Sequence, residues 1–103
     1  MQIDLNHNLP QTNATECAKK ILDNLKEEHA GKISDVKQSW NGNTCNFSFK
    51  AYNFAVSGTI VVTEKQINIK GNLPFLARAF SGTIKSTIEN NAVKLINDCR
   101  QNV

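Results

Sequence analysis

Histidine and cysteine are the residues of this chain whose side chains could ligate a metal or act as a nucleophile. The chain has two histidines, His7 and His29, and three cysteines, Cys17, Cys45 and Cys99. They form neither a C-x-x-C nor an H-E-x-x-H pattern, the spacings that arrange side chains around one zinc ion. His29 follows Cys17 by about three turns of one predicted helix, too far to take a proton from its thiol. We therefore expect neither a metal site nor a cysteine–histidine catalytic pair.

Other catalytic patterns are also missing from the sequence. It contains no glycine-rich phosphate loop, and Gly58 falls in the middle of a predicted strand, where glycine permits close packing or a bulge. The adjacent Glu27 and Glu28 fall on the solvent side of a predicted helix. We therefore expect a binding or structural protein, not an enzyme, and no cofactor.

The three cysteines fall in phase with apolar neighbours. An odd number of scattered cysteines without a secretion signal favours reduced thiols, and a buried free cysteine packs as a small hydrophobic residue. Residues 1–10 have neither the basic start nor the apolar stretch of a signal peptide. We expect three reduced cysteines and a cytoplasmic protein.

Length and composition describe one ordinary globular domain. The chain of 103 residues is long enough for a single domain, residues 1–103, that folds without a metal or a disulfide. Its hydrophobic fraction of 40% is that of a folded chain, and no apolar run approaches the roughly 18 residues of a membrane span. The net charge of +3 is well below that of a dedicated nucleic-acid binder.

Amphipathic patterns predict the elements that position these residues. Residues 2–5 alternate as a short strand. Residues 11–31 have the three-and-four spacing of a helix, with Thr12 or Asn13 as its N-cap and Gly31 just beyond its end. The apolar stripe of this helix contains Ala14, Cys17, Ala18, Ile21, Leu22 and Leu25.

From residue 33 the hydrophobic period changes to two. Four strands are predicted at residues 33–40, 44–50, 54–62 and 66–71, separated by the turn sequences NGN, AYN and TEK. Consecutive strands with short turns form an antiparallel meander, and its one apolar face needs a cover. The predicted fold is therefore α+β in the order β-α-β-β-β-β-α, an antiparallel sheet with two helices packed on one face.

The other face of the sheet is predicted to be open to water. It carries Lys37, Lys50 and Lys70 among serine, threonine and asparagine side chains. This face either is a solvated surface that prevents aggregation or binds an anionic polymer. The strand aromatics, Trp40 and Phe47 among them, fall in the inward phase, so the face lacks the exposed rings on which bases stack. We do not expect nucleic acid to be the partner.

The last segment has a helical stripe that begins in the most apolar run of the sequence, LPFLARAF at residues 73–80. The long helix is expected to start near Ser81, because Gly82 costs about 1 kcal/mol relative to alanine inside a helix. The run before it is then either an entry loop or a short separate helix. The predicted core stripe contains Leu76, Phe80, Ile84, Ile88, Ala92, Leu95 and Cys99, widened by Val93 and Ile96.

Leu73, Phe75 and Ala79 fall off this stripe, beside Arg78. On a helix, Phe75 and Ala79 are rotated from the stripe by about 100°, and Pro74 favours an extended or turning chain around it. One interpretation is an exposed apolar edge, which often marks an interaction site. The other is that this segment folds back over the open end of the core.

Short sequences along nearly the whole chain resemble one bacterial family. An N-terminal strand and a helix precede SWNGN at residues 39–43, SGTIVV at 57–62, and a closing LP…FSGTI…I at 73–88. The ordered combination resembles the polyhydroxyalkanoic acid system proteins, also called polyhydroxyalkanoate granule region proteins. The resemblance implies association with polyester storage granules and implies no catalytic residues. Phasins, the better-known granule coat proteins, are mostly helical, so their way of coating is not carried over to an α+β chain.

The apolar run and the open sheet face lead to two hypotheses. In the first, a small accessory protein binds polyester, lipid or a granule protein through Leu73, Phe75 and Ala79, with Arg78 and Lys85 at the rim. In the second, the lysine-bearing face acts as an adaptor for a protein or a nucleic acid. Salt separates the two, because binding through lysines to an anionic polymer should weaken steeply as salt rises.

Overall fold

The structure, a computed structural model, describes residues 1–101. Its strands are β1 (Gln2–Asn6), β2 (Ile33–Asn41), β3 (Thr44–Ala51), β4 (Phe54–Val62) and β5 (Gln66–Asn72). Its α-helices are α1 (Gln11–Ala18), α2 (Ile21–Glu28) and α3 (Ser81–Gln101), and a 3₁₀ helix, Phe75–Phe80, precedes α3.

The five strands form one antiparallel sheet in the order β1-β5-β4-β3-β2. Strands β2 to β5 are the predicted meander, and β1 adds beside β5 with Ile3 opposite Ile69. The helices pack on one face: α1 contacts β4, α2 contacts β2 and α3 contacts β1. The predicted α+β fold and its element order are confirmed, with the first predicted helix divided into α1 and α2.

Two of the three turns contain residues with a positive φ. Gly42, between β2 and β3, has φ +62°, and Tyr52 and Asn53, between β3 and β4, have φ +53° and +69°. Two successive positive φ values twist a hairpin in the same sense as its strands, which is why such turns join tightly paired strands. The third turn is closed by Thr63, whose hydroxyl oxygen accepts a hydrogen bond from the Gln66 N–H at 2.9 Å.

The apolar stripe predicted for the first helix is buried at all six positions: Ala14, Cys17, Ala18, Ile21, Leu22 and Leu25. The helix nevertheless breaks at the exposed Lys19 and Lys20, where the Lys20 N–H donates to the Cys17 carbonyl at 3.0 Å instead of to a residue four back. The predicted N-cap was wrong, because α1 begins at Gln11 and Pro10 occupies the cap position. Gly31 has the positive φ expected beyond the end of α2.

Gly58 permits a close approach between two strands. It lies opposite Gly71 of β5. A β-carbon added to Gly58 would collide with the carbonyl oxygen of Lys70 and stand 2.8 Å from the Gly71 α-carbon. Backbone atoms of a paired strand cannot move aside as a side-chain end can, so glycine is required at this position.

Two of the three cysteines form a disulfide, Cys17–Cys99, with α-carbons 6.3 Å apart. The expectation of three reduced thiols was therefore wrong for this pair, because the fold packs α1 against α3 and brings together residues that are 82 positions apart. Cys45 is free and buried, as predicted. Burial raises the pKa of its thiol, and the hydrogen bond with the backbone of Ser39 only partly opposes this.

Candidate functional site

The 3₁₀ helix presents the apolar run 73–80 on a supported segment. Pro74 occupies its N-cap, and its carbonyl accepts a hydrogen bond from the Ala77 N–H at 2.9 Å. Ala77 is fully buried, and Leu73 packs against the core. The ring of Phe80 lies 5.8 Å from that of Phe54 at the start of β4. These contacts of Leu73, Ala77 and Phe80 hold the segment against the core and keep its outer side chains in place.

The outer side of this segment carries an exposed apolar patch, which comprises Phe75, Leu76, Ala79 and Phe80. Phe75 is 77% exposed, Leu76 76% and Phe80 48%. Two neighbouring large apolar side chains with three quarters of their surface in water are costly to keep on a free surface. Exposed patches of this kind mark interaction sites.

Phe75, Arg78 and Ala79 are exposed, which favours an exposed apolar edge over a segment folded back on the core; their role as a contact stays a prediction. Leu73 is half-buried against the core, so it supports the patch more than it extends it. The assignment of Leu76 and Phe80 to the core stripe was wrong, and so was that of Val93, which is 40% exposed.

The helical period explains the error at Leu76. A 3₁₀ helix has three residues per turn, so Leu76 lies on a different side from the buried Ala77. Phe80 lies on the side of Ala77, with its ring near Phe54 and about half of its surface in water. A stripe drawn with 3.6 residues per turn holds only from Ser81 onward, where Ile84, Ile88 and Ile96 are buried.

Positive charge borders the apolar patch. The guanidinium carbon of Arg78 lies 5.7 Å from the centre of the Phe75 ring, within cation–π range. Lys85 is exposed on the next turn of α3. An apolar centre with a cationic border is suited to a surface whose interior is apolar and whose edge carries anionic groups.

The open sheet face is exposed as predicted, with Lys37, Lys50 and Lys70 all accessible. The charge on this face is partly neutralised. Lys50 Nζ lies 3.4 Å from a carboxylate oxygen of Asp35. The side chain of Asp4 on β1, which the sequence prediction did not place there, accepts a hydrogen bond from Asn68 Nδ2 at 2.7 Å. The face is therefore mixed in charge and mostly hydroxyl and amide.

A groove lies between the end of α2 and the helix α3, and the sequence analysis did not predict it. This groove has a volume of about 530 Å³ and is lined mainly by polar side chains of α3 together with Glu28 and His29. Asn91 lines it and is only 4% exposed. The sole signal in the sequence is an asparagine among the apolar positions of α3.

Glu28 is the charged centre of that groove. Its carboxylate accepts hydrogen bonds from Lys94 Nζ at 3.2 Å and from Asn91 Nδ2 at 2.9 Å. The hydrogen bond from Lys94 is the largest influence on the pKa of Glu28. Together with the charge of Lys94 and the hydrogen bond from Asn91, it lowers that pKa below its ordinary value, against the opposing effect of burial.

The two histidines and the remaining acidic groups do not converge. His7 is buried and hydrogen-bonded through both ring nitrogens, whereas His29 lies half-buried at the groove. Within residues 1–101, no three His, Cys, Asp or Glu side chains stand close enough to hold a metal ion. No helix in the same range is long and apolar enough to cross a membrane.

Comparison with known proteins assigns the chain to a family by its sequence. Neither the curated proteins nor the solved structures gave a match. A sequence model of the family described as "Putative polyhydroxyalkanoic acid system protein" matches residues 1–96, which is nearly the whole chain. The chain therefore belongs to the polyhydroxyalkanoic acid system protein family.

Proposed function

We propose that this chain is a non-enzymatic accessory protein that binds the apolar surface of a polyester granule. The contact is the exposed apolar patch, with Arg78 at its border. The observation that carries the proposal is the 77% and 76% exposure of Phe75 and Leu76 on a segment that the core supports. The family to which the chain belongs names the polymer.

The shape of the patch favours an extended surface over a small ligand. The 3₁₀ helix projects its side chains outward, whereas sites for small apolar molecules are clefts that enclose them. Full burial of a phenylalanine or leucine side chain contributes about 1.5–3 kcal/mol. Phe75 and Leu76 together would contribute about 3–6 kcal/mol, which the cost of association partly or wholly offsets, so Phe80, Ala79 and Arg78 must contribute to the attachment as well.

Electrostatic attraction makes a secondary contribution to the proposed contact. Arg78 and Lys85 would meet anionic groups at the edge of the contact, and such exposed charges are screened by salt. Binding through the patch should therefore weaken only slightly when salt is raised. Lipid-coated particles and granule-bound proteins can also offer an apolar surface with anionic groups. Co-sedimentation with separate kinds of particle distinguishes them from bare polymer.

The open sheet face offers a weaker alternative, an adaptor that binds a protein or nucleic acid through Lys37, Lys50 and Lys70. That function stays a prediction. The ion pair between Lys50 and Asp35 removes part of the charge that such binding would use.

The proposal is tested by co-sedimentation of the purified protein with polyester particles at low and high salt. Three kinds of particle are compared: bare polymer, native granules and phospholipid vesicles. We expect binding to bare polymer that persists at high salt. Phe75→Ser should weaken it about tenfold to a hundredfold, because the buried apolar area of one large side chain is lost.

The matched control is Val93→Ser, which removes an exposed apolar side chain of α3 that lies outside the patch. It should bind as the wild type does. Equal binding of the two variants would refute the patch as the contact. Binding to native granules but not to bare polymer would point to a granule protein, and binding to vesicles alone would point to lipid; either result overturns direct polymer binding. Hydrolysis of the polymer by the purified protein would overturn the non-enzymatic assignment.

A further inference from the structure

Strand β2 lies at one edge of the sheet and, within residues 1–101, pairs with β3 alone. Asn41 and Thr44 pair across a two-residue turn, which requires them to exchange both backbone hydrogen bonds. The alternation of an antiparallel ladder then directs the backbone groups of Ser39 towards β3 and those of Gln38 and Trp40 away from it. The N–H and C=O groups of Gln38 and Trp40 are therefore free to pair with a further strand.

The side chains of Gln38 and Trp40 are held in place but not fully covered. Trp40 Nε1 donates to Gln38 Oε1 at 3.0 Å, and Gln38 Nε2 donates to Asp23 Oδ1 of α2 at 3.2 Å. Although α2 packs against β2, both side chains are only half-buried. A strand added at this edge would bury more of the Trp40 side chain and would satisfy the outward backbone groups.

A second copy of β2 fits this edge in one two-fold register. If Ser39 of each antiparallel copy lies opposite Ser39 of the other, Gln38 of each copy lies opposite Trp40 of the other. Both pairs then exchange backbone hydrogen bonds, so the outward groups at these positions all gain partners. The bulge between Ser34 and Lys37 lies outside the paired stretch and confines the pairing to residues 37–41.

The charges at the edge are compatible with this register. Lys37 is the sole charged residue among residues 37–41, and it lies opposite Asn41 of the second copy. The two Lys37 residues are about 14 Å apart, four residues along the strands, which exceeds the Debye length of about 10 Å in 0.1 M salt. Strand β1, at the other edge, has Asp4 at its centre, so two copies centred there would place like charges opposite each other.

We propose that β2 is a self-association edge, through which two copies of this chain pair along residues 37–41. An added strand lies in the plane of the sheet, so the two sheets continue as one and both helix layers lie on the same side. The paired stretch is short, and the dimer exchanges with the monomer. The edge shares no residue with the exposed apolar patch, and this inference stands without the proposed granule contact.

Cysteine cross-linking of the full-length protein tests the register. Opposed residues of a pair without backbone hydrogen bonds have α-carbons about 4.5 Å apart, within the range of about 4.4–6.8 Å that a disulfide spans. Ser39→Cys should therefore give a covalent dimer on mild oxidation. Asn46→Cys is the matched control, because Asn46 is exposed beside Ser39 on the neighbouring strand, and it should stay monomeric. Cys45 is buried and Cys17 is bonded to Cys99, so the native cysteines should not cross-link.

Sedimentation velocity over a range of protein concentrations measures the equilibrium without a cross-link. The wild type should show a monomer that converts to a dimer as concentration rises. Ser39→Lys places two lysines directly opposite each other and should raise the dissociation constant about tenfold or more. Asn46→Lys makes the same change of charge one strand away and should dimerise as the wild type does. Gln38→Pro removes an outward N–H that the monomer does not use, so it should prevent dimerisation and leave the monomer folded.

Several results would overturn the proposal. A wild type that stays monomeric at every concentration, without cross-linking of Ser39→Cys, refutes it, and equal cross-linking of Asn46→Cys would show random collision. A dimer that survives both Ser39→Lys and Gln38→Pro forms elsewhere on the molecule, and longer polymers would indicate pairing of β2 with β1. Phe75→Ser should dimerise normally, so failure of the granule contact and failure of this edge are distinguishable.

Discussion

His7 is a buried histidine whose two ring nitrogens both have defined partners. The Leu9 N–H donates to Nδ1 at 3.0 Å, so Nδ1 is the acceptor and Nε2 carries the proton that it donates to the Thr63 carbonyl at 2.9 Å. The side chain thereby ties the segment after β1 to the turn between β4 and β5. This role is structural, although histidine is the residue type that first suggests catalysis in the sequence.

Replacement of His7 tests that role at the residue scale. His7→Ala leaves the buried Leu9 N–H and the part-buried Thr63 carbonyl without their partner and removes a fully buried ring, and we expect a loss of about 2–4 kcal/mol in the free energy of unfolding. His7→Asn should cost less, because its Oδ1 can accept from the Leu9 N–H as Nδ1 does. Urea denaturation measures both, with His29→Ala as the half-buried control, expected within about 0.5 kcal/mol of wild type. Equal effects of the two alanine variants would contradict this account.

Elements with regular periods were predictable from the sequence. The α1–α2 stripe and the inward residues of the strands follow from spacings of three or four and of two, and every residue of the α1–α2 stripe is buried. The break before Ser81 followed from Gly82, and a short separate helix was one of the two alternatives for the run before it. Its 3₁₀ type was not predictable, because a segment of six residues is too short to show a period of three. Nor was the groove, since the buried Asn91 acquires its meaning only when Glu28 of another helix packs beside it.

The close approach of β4 and β5 requires glycine at position 58. A substitution there tests the pairing of these two elements. Gly58→Ala places a methyl group against backbone atoms of Lys70 and Gly71, so the strands must separate. We expect a loss of about 1–3 kcal/mol in the free energy of unfolding. Gly82→Ala is the matched control, because within residues 1–101 an added β-carbon there meets no atom within 4 Å apart from its chain neighbours and the adjacent backbone of its own helix. It should leave stability unchanged or raise it slightly, as thermal denaturation of both variants will show.

At the scale of the whole molecule, α3 connects the exposed apolar patch with the disulfide. Its 21 residues extend over about 30 Å, most of the longest dimension of 39 Å. The apolar patch precedes its first turn, whereas the disulfide to Cys17 joins its last turns to α1. The helix is continuous between them and is held to the sheet by Ile84, Ile88 and Ile96. A change at the disulfide end should therefore not reach the patch.

Reduction of Cys17–Cys99 is the corresponding prediction. The bond closes a loop of 82 residues in the unfolded chain, so its loss should lower the free energy of unfolding by about 2–5 kcal/mol. The native packing of α1 on α3 remains, and binding to polyester particles should be unchanged under conditions where the reduced protein stays folded. Denaturation and co-sedimentation with and without dithiothreitol measure the two effects, and Cys17→Ser with Cys99→Ser serves as a permanently reduced control. Loss of binding on reduction, with the fold intact by circular dichroism, would show that the two ends of α3 are coupled.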